Sequence, residues 1–392
     1  MAFLVLRSVP AAQQTTMLRR ASALNADPYE TGKLSFGCPV LDTTFGGGLP
    51  VHGITEICGE AGCGKTQLCI QLAVQAMLPV EYGGLAGKTV YVTSGEGTFP
   101  AKRLEQLARL TAERFKNVNR CADEESSDAN RRLNQNSGDS SMTGVTKDKL
   151  LNGVFIHDCP NVEALLELVE NGLAGLLANE EIRLVIVDSV AGAFRNDDDY
   201  DVKPLHQNSS SGNSRNGRSQ TFGSNFKART RDLFLFASHL RRLSFAHNTA
   251  IVVVNQATAN GFNKDAYGSF PMPDVSPDAL EAFPSLNIRP ALGLTWSTCI
   301  NQRIMLMRRE IYYSDVPYAP QLKRTKHTSA ASAVVVASHP RHGSTSGERA
   351  VSLVSGRWQR DAALLLSPCA PFRKVQFAIT EAGVAGLIGT AV

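Results

Sequence analysis

Gly59-Glu60-Ala61-Gly62-Cys63-Gly64-Lys65-Thr66 decides the reading of this chain. The stretch fits G-x-x-x-x-G-K-[ST] at every specified position, the pattern of a phosphate-binding P-loop. Gly59, Gly62 and Gly64 let the backbone curl until successive N–H groups converge on one phosphate. Glu60, Ala61 and Cys63 fill the variable positions of the same cradle. Lys65 supplies a point charge for the β- and γ-phosphates, and Thr66 offers a hydroxyl to Mg²⁺. Thr66 also opens a helix whose N-terminus favours an anion. The flanks agree with the motif. Gly53 to Cys58 reads as a short strand ahead of the loop, and Thr66 to Met77 as a helix behind it, with Leu68, Leu72 and Met77 near one stripe.

The chain has 392 residues, 43% of them hydrophobic, enough for one large core or a core with small appendages. A net charge of +4 neither demands nor excludes nucleic acid, because a local basic patch suffices. The eight cysteines are scattered without a C-x-x-C pair, which points to a reducing compartment. Cys58, Cys63 and Cys69 cluster at the P-loop and read as small packing residues rather than metal ligands. No apolar run is long enough to span a membrane, so no membrane association is expected. The first 26 residues carry Arg7, Arg19 and Arg20 and no acidic residue. A short basic helix or tail is preferred there over a mitochondrial transit peptide, which has the same composition.

Residues 1–33 read as a tail, and the core is expected over 34–392. Strands are expected at Thr89–Thr93, Gly153–Ile156, Leu184–Val187, Ala250–Val254, Gln302–Met307, Ala350–Leu353 and Val375–Ile379. The continuous apolar runs at Leu184 and Ala250 suit strands buried on both faces of a parallel sheet. Helices are expected at Val162–Leu177 and Asp232–Ala246. Polar inserts are expected near 117–150, 196–226, 257–287 and 320–348, the first of them mobile. Strand–helix alternation early and a run of strands late argue for an α/β sheet with an antiparallel C-terminal extension.

Asp188 ends one of the apolar strands, the position from which a carboxylate beside a P-loop helps hold Mg²⁺. Glu96 lies just beyond the Tyr91 strand, which should neighbour the P-loop strand. It is a candidate for the carboxylate that orients an attacking water, or else a solvated loop residue. Gln256, just past the Ile251–Val254 strand, is either a sensor of the γ-phosphate that orders the following loop or an amide that caps a strand. Arg195, Lys227 and Arg229 flank the polar stretch 196–226 and would neutralise nucleic-acid phosphates without reading sequence. Asp197, Asp198 and Asp199 oppose that, and a solvated linker of balanced charge is the alternative.

Together these motifs resemble the RecA/RadA-type ATPase core, and within it the eukaryotic paralogues of the strand-exchange recombinase. The stretches that carry the resemblance are Leu34 to Asp42, Gly46 to Pro50, Gly53 to Gln67, Phe99 to Leu104, Asp188 to Arg195, Arg289 to Trp296, Ser367 to Pro371 and Phe377 to Gly383. The fold it implies is a RecA-like P-loop ATPase core, a mostly parallel central sheet flanked by helices, with antiparallel C-terminal strands. It implies ATP on the P-loop with Mg²⁺ on Thr66 and Asp188, Glu96 as the base, Arg103 stacked on the adenine, and Asn255-Gln256 as the γ-phosphate sensor. It further implies repair of DNA double-strand breaks by homologous recombination in the nucleus. The implied partners are single-stranded DNA, another recombinase paralogue and the strand-exchange recombinase.

Three departures from the family's pattern bear on mechanism. Gly95 looks like one extra residue before Glu96. Leu366 stands where the recombinase has an acidic residue that caps ATP across a subunit interface. No Phe-x-x-Ala polymerisation linker occurs in residues 1–33. A monomer or small hetero-oligomer is therefore expected, acting either as a weak DNA-dependent ATPase or as an assembly subunit ordered by ATP. An unrelated P-loop enzyme such as a small-molecule kinase is the remote alternative. The spacing of Lys65, Glu96 and Asp188 and the Asn255-Gln256 pair speak against it.

Overall fold

The computed structural model describes residues 32–94, 98–125, 144–196, 217–259, 288–310, 358–368 and 370–390. A small ribbon comes first: β1 (Lys33–Leu34), α1 (Pro39–Thr44) and β2 (Leu49–Pro50). Next is the nucleotide-loop unit, β3 (Ile54–Gly59) and α2 (Lys65–Ala76), followed by β4 (Lys88–Ser94) and α3 (Ala101–Glu125). The chain continues through α4 (Lys147–Asn152), β5 (Val154–Cys159), α5 (Val162–Glu167), α6 (Leu173–Asn179), β6 (Ile182–Asp188) and α7 (Val190–Asn196). Then come α8 (Gly217–His247), β7 (Ala250–Ala259), β8 (Ile288–Pro290) and α9 (Gly293–Ser297). Four strands finish the chain: β9 (Gln302–Glu310), β10 (Trp358–Leu366), β11 (Arg373–Thr380) and β12 (Gly383–Gly386).

The main sheet runs β12-β11-β10-β9-β3-β7-β6-β4-β5, with β8 beside β7. Strands β9 through β5 of this order are parallel, whereas β10, β11 and β12 add antiparallel. Both faces are covered. Along β7, Ile251 and Val253 pack into one apolar cluster while Val252 and Val254 pack into the other. The pleat sends alternate residues to opposite faces, so a strand buried on both sides must be apolar throughout. One cluster takes up α2 and the start of α3, and the other takes up α5, α6, α8 and α9. This is the RecA-like α/β fold expected from the sequence.

Several expectations need correction. The Tyr91 strand, β4, does not neighbour the P-loop strand: β7 and β6 stand between them. A parallel strand order is set by crossovers, which a linear reading does not show. Helix α3 was not expected, and it runs to Glu125 inside the segment read as the first polar insert, while α4 occupies that insert's other end. Leu104, Leu107, Ala108 and Ala112 are all buried, a helical stripe thin enough to be hidden by the polar residues around it. Helix α8 begins at Gly217, so residues 217–226 are helical rather than loop, and β7 runs on to Ala259. The strand before the last loop is β10, at Trp358–Leu366, and the expected strand at 350–353 lies outside the described residues, as do residues 320–348.

Candidate nucleotide site

Strand β3 delivers the P-loop at its C-terminal end, and the loop's shape follows from its glycines. Gly59, Gly62 and Gly64 adopt φ of 153°, 74° and 112°, where a side chain is strained. Space is also denied at Gly59, where a Cβ would lie 2.2 Å from the Leu306 carbonyl oxygen of β9. Behind the loop, the first turn of α2 has no side-chain cap and no acidic residue, so its N–H groups are open to an anion. Lys65 Nζ donates to the carbonyls of Gly59 and Glu60, at 2.8 Å each. An ammonium has three protons, so one remains for a phosphate oxygen.

Thr66 and Asp188 are brought together as expected. Thr66 Oγ1 donates to Asp188 Oδ2 at 2.8 Å, although β7 stands between β3, which leads into the P-loop and α2, and β6, which ends at Asp188. Tyr91 Oη donates to the same carboxylate oxygen at 2.6 Å, a contact the sequence reading missed. Burial, then Cys69 and the Asp188 carboxylate, push the Tyr91 phenol far above its ordinary value, so it remains a donor. Among the described residues no cluster of three or more His, Cys, Asp or Glu could hold a metal. One hydroxyl and one carboxylate nevertheless suit Mg²⁺, which keeps several waters and takes further oxygens from phosphates. The residues present therefore fit ATP and Mg²⁺, whose metal would neutralise phosphate charge when bound.

Arg103, on α3, is fixed by four hydrogen bonds. Its Nε donates to Gln67 Oε1 at 2.7 Å and Nη1 to Gln106 Oε1 at 2.6 Å. It also donates to the carbonyl of Glu381 at 2.9 Å and, through Nη2, to that of Thr380 at 2.6 Å. A guanidinium fixed this way suits stacking on a flat base. The carbonyls come from the β11–β12 turn, so the C-terminal strands orient a residue that follows the P-loop. Gln256 stands opposite Gly59 in the β3–β7 register, and its carbonyl accepts from the Ala291 amide at 2.8 Å. The terminal strands supply a second unforeseen neighbour. Arg308 of β9 reaches the loop, its Nη1 2.5 Å from where a Gly62 Cβ would be, and its Cζ lies 4.8 Å from the Trp358 ring centre. Glycine at position 62 leaves the room this guanidinium uses.

The cysteines agree with a packing role. Cys58, Cys63 and Cys69 are fully buried and free, and burial pushes each thiol up. Glu96 and Gly95 lie outside the described residues. The basic candidates are on helices rather than on a loop: Arg195 on α7, Lys227 and Arg229 on α8. Lys227 is exposed and Arg229 half-buried. Residues two apart on a helix do not share a face. A cavity of about 500 Å³, lined by Gln71, Gln75, Arg114, Phe115 and Gly383 among others, does not include Lys65, Thr66 or Asp188 and is separate from this site.

Comparison with known proteins agrees with this fold. A family model described as Rad51 matches residues 29–139. The chain is 30% identical over 286 residues to the DNA repair protein XRCC3 of Bos taurus, covering 72% of this chain and 65% of that protein. For XRCC3 of Mus musculus the figures are 31%, 72% and 64%. For DNA repair protein rhp57 of Schizosaccharomyces pombe they are 29% over 303 residues, 76% and 75%. The chain thus spans a little under two thirds of the XRCC3 relatives, by 65% and 64% of their length. With the fold described above, the chain is RecA-like, and its sequence is similar to the Rad51 family model and to these DNA repair proteins. Among the relatives it matches, it is similar to XRCC3 over most of its own length.

Proposed function

We infer that this protein binds ATP with Mg²⁺ and serves DNA double-strand-break repair by homologous recombination in the nucleus. The observation that carries the reading is the joined geometry of the P-loop, Lys65, Thr66 and Asp188 on a fold whose relatives are named as DNA repair proteins. Lys65 and the α2 N-terminus hold the phosphates, Thr66 and Asp188 hold the metal, Tyr91 fixes the Asp188 carboxylate, and Arg103 meets the base. Glu96 is the proposed water-orienting carboxylate and Gln256 the γ-phosphate sensor. Single-stranded DNA is the proposed nucleic-acid ligand, with Arg195, Lys227 and Arg229 as contacts. Another recombinase paralogue and the strand-exchange recombinase are the proposed protein partners. Among the described residues no helix is long and apolar enough to cross a membrane.

A second reading is favoured by Leu366. An apolar residue at the family's acidic capping position ends β10 and packs against the apolar cluster on the sheet's α8 side. ATP then orders an assembly surface, and hydrolysis is incidental. Turnover of ATP by wild type and by Glu96→Gln separates the two. Loss of turnover with retained binding supports the ATPase reading, because an amide holds water without accepting its proton. Absence of turnover in the wild type supports the assembly reading. Wild-type ATP affinity in a folded Lys65→Ala protein overturns both.

A further inference from the structure

Strand β3 carries a charge where its neighbours allow none. Glu56 is 0% exposed, between Ile54 and Ile57 in a strand buried along its whole length. A carboxylate so placed must be paired and hydrogen-bonded. Its partners come from three different elements. Arg303 of β9, its register partner, donates through Nε to Oε2. Asn255 of β7 donates through Nδ2 to Oε1 at 2.7 Å. Trp296 of α9 donates through Nε1 to the same oxygen at 2.9 Å. Arg303 reaches further, its Nη2 donating to Ser297 Oγ at 2.8 Å.

The position of each partner gives the cluster its meaning. Glu56 stands three residues before Gly59, where the P-loop begins. Asn255 immediately precedes Gln256, and Trp296 follows β8, which returns the chain to the side of β7 through Ala257↔Pro290 and Thr258↔Arg289. The C-terminal part of β7 and the α9 helix that follows β8 are therefore held by one carboxylate. Apolar residues replacing Glu56 and Arg303 together could pack as well, because a buried ion pair seldom adds net stability. What a carboxylate adds is direction: its bonds form at one register and angle only.

We propose that Glu56 is a positioning residue that couples nucleotide at the P-loop to β7 through Asn255 and to α9 through Trp296. The proposal rests on the nucleotide-binding reading above. Nucleotide-dependent ordering passes from Gly59 and Gln256 into β8 and α9 along this cluster.

Hydrogen exchange of the full chain, with and without a slowly hydrolysed ATP analogue and Mg²⁺, tests it. In the wild type the analogue slows exchange in β8 and α9. Trp296→Phe keeps an aromatic ring and the Glu56–Arg303 pair but removes one donor. It should bind the analogue within about threefold of wild type and lose roughly half or more of that nucleotide-dependent protection. Glu56→Gln should lose more, but because it also removes the carboxylate that Arg303 meets, Trp296→Phe is the deciding variant. A merely structural role would raise exchange in β3, β7 and β9 without nucleotide and leave the analogue's added protection intact. Unchanged nucleotide-dependent protection in Trp296→Phe overturns the proposal. So does a wild type that binds the analogue without protecting β8 and α9, although nucleotide binding then stands. A wild type that binds no analogue overturns nucleotide binding and the proposal together.

Discussion

At the residue scale, the nucleotide site is a set of side chains with narrow tasks. Lys65→Ala removes the ammonium, and filter binding should show ATP affinity falling sharply in a protein that stays folded. The glycines separate two costs. Gly59→Ala puts a Cβ against the Leu306 backbone, which cannot move away, whereas Gly62→Ala meets only the flexible tip of Arg308. Urea denaturation should show a loss of about 3 kcal/mol for the first and about 1 kcal/mol for the second, mostly from backbone strain. Equal losses would mean that the β9 backbone yields. Tyr91→Phe removes one donor from Asp188 and leaves its bond from Thr66. A rise of roughly tenfold or more in the Mg²⁺ concentration needed for ATP binding is expected, about 1.5–3 kcal/mol for one hydrogen bond to a charged group.

At the scale of elements, legibility followed pattern strength. The P-loop strand and helix were readable because motif and periodicity coincide over Ile54–Ala76. The strands β6 and β7 were readable because burial on both faces leaves continuous apolar runs. Helix α3 was not, because its buried face consists of Leu104, Leu107, Ala108 and Ala112, two of them only methyl groups. Leu107→Ala should cost about 2–5 kcal/mol in denaturant unfolding, as for a buried leucine in a close-packed core. Substitution of exposed Arg109, whose ion pair with Glu113 lies one turn along, should cost well under 1 kcal/mol. Similar costs at both positions would contradict the packing of α3 on α2. Helix α8 was half legible: Leu233, Phe236, Leu240 and Leu243 mark its buried C-terminal half, and its Gly- and Ser-containing beginning carries no such stripe.

At the scale of the whole molecule, two predictions test compartment and ligand. Burial raises the thiols at the P-loop, so little thiolate is available for alkylation near neutral pH. Mass spectrometry after iodoacetamide treatment should find Cys58, Cys63 and Cys69 unmodified in the native protein and modified after unfolding. Rapid native labelling of Cys63 would show that the loop opens. For nucleic acid, binding should weaken with salt. Removing Lys227 should reduce the slope of log affinity against log salt on single strands by roughly 0.7. Arg229, half-buried and on a different side of α8, should change the slope less. An unaltered slope in the Lys227→Ala, Arg229→Ala pair would move the nucleic-acid surface elsewhere.

The sequence by itself determined the strand–loop–helix unit of the P-loop, the partnership of Thr66 with Asp188 and the α/β class. Each of these rests on local chemistry or on a short periodic run. Tertiary structure alone decided that β7 and β6 separate β4 from β3. It also decided that the C-terminal turn orients Arg103, that Arg308 occupies the room left by Gly62, and that Glu56 gathers Asn255, Trp296 and Arg303. Those contacts join residues up to 278 positions apart, as in the bond from Arg103 to the Glu381 carbonyl. Strand order and side-chain convergence arise from packing two apolar faces at once, and no local stretch of the chain encodes that solution.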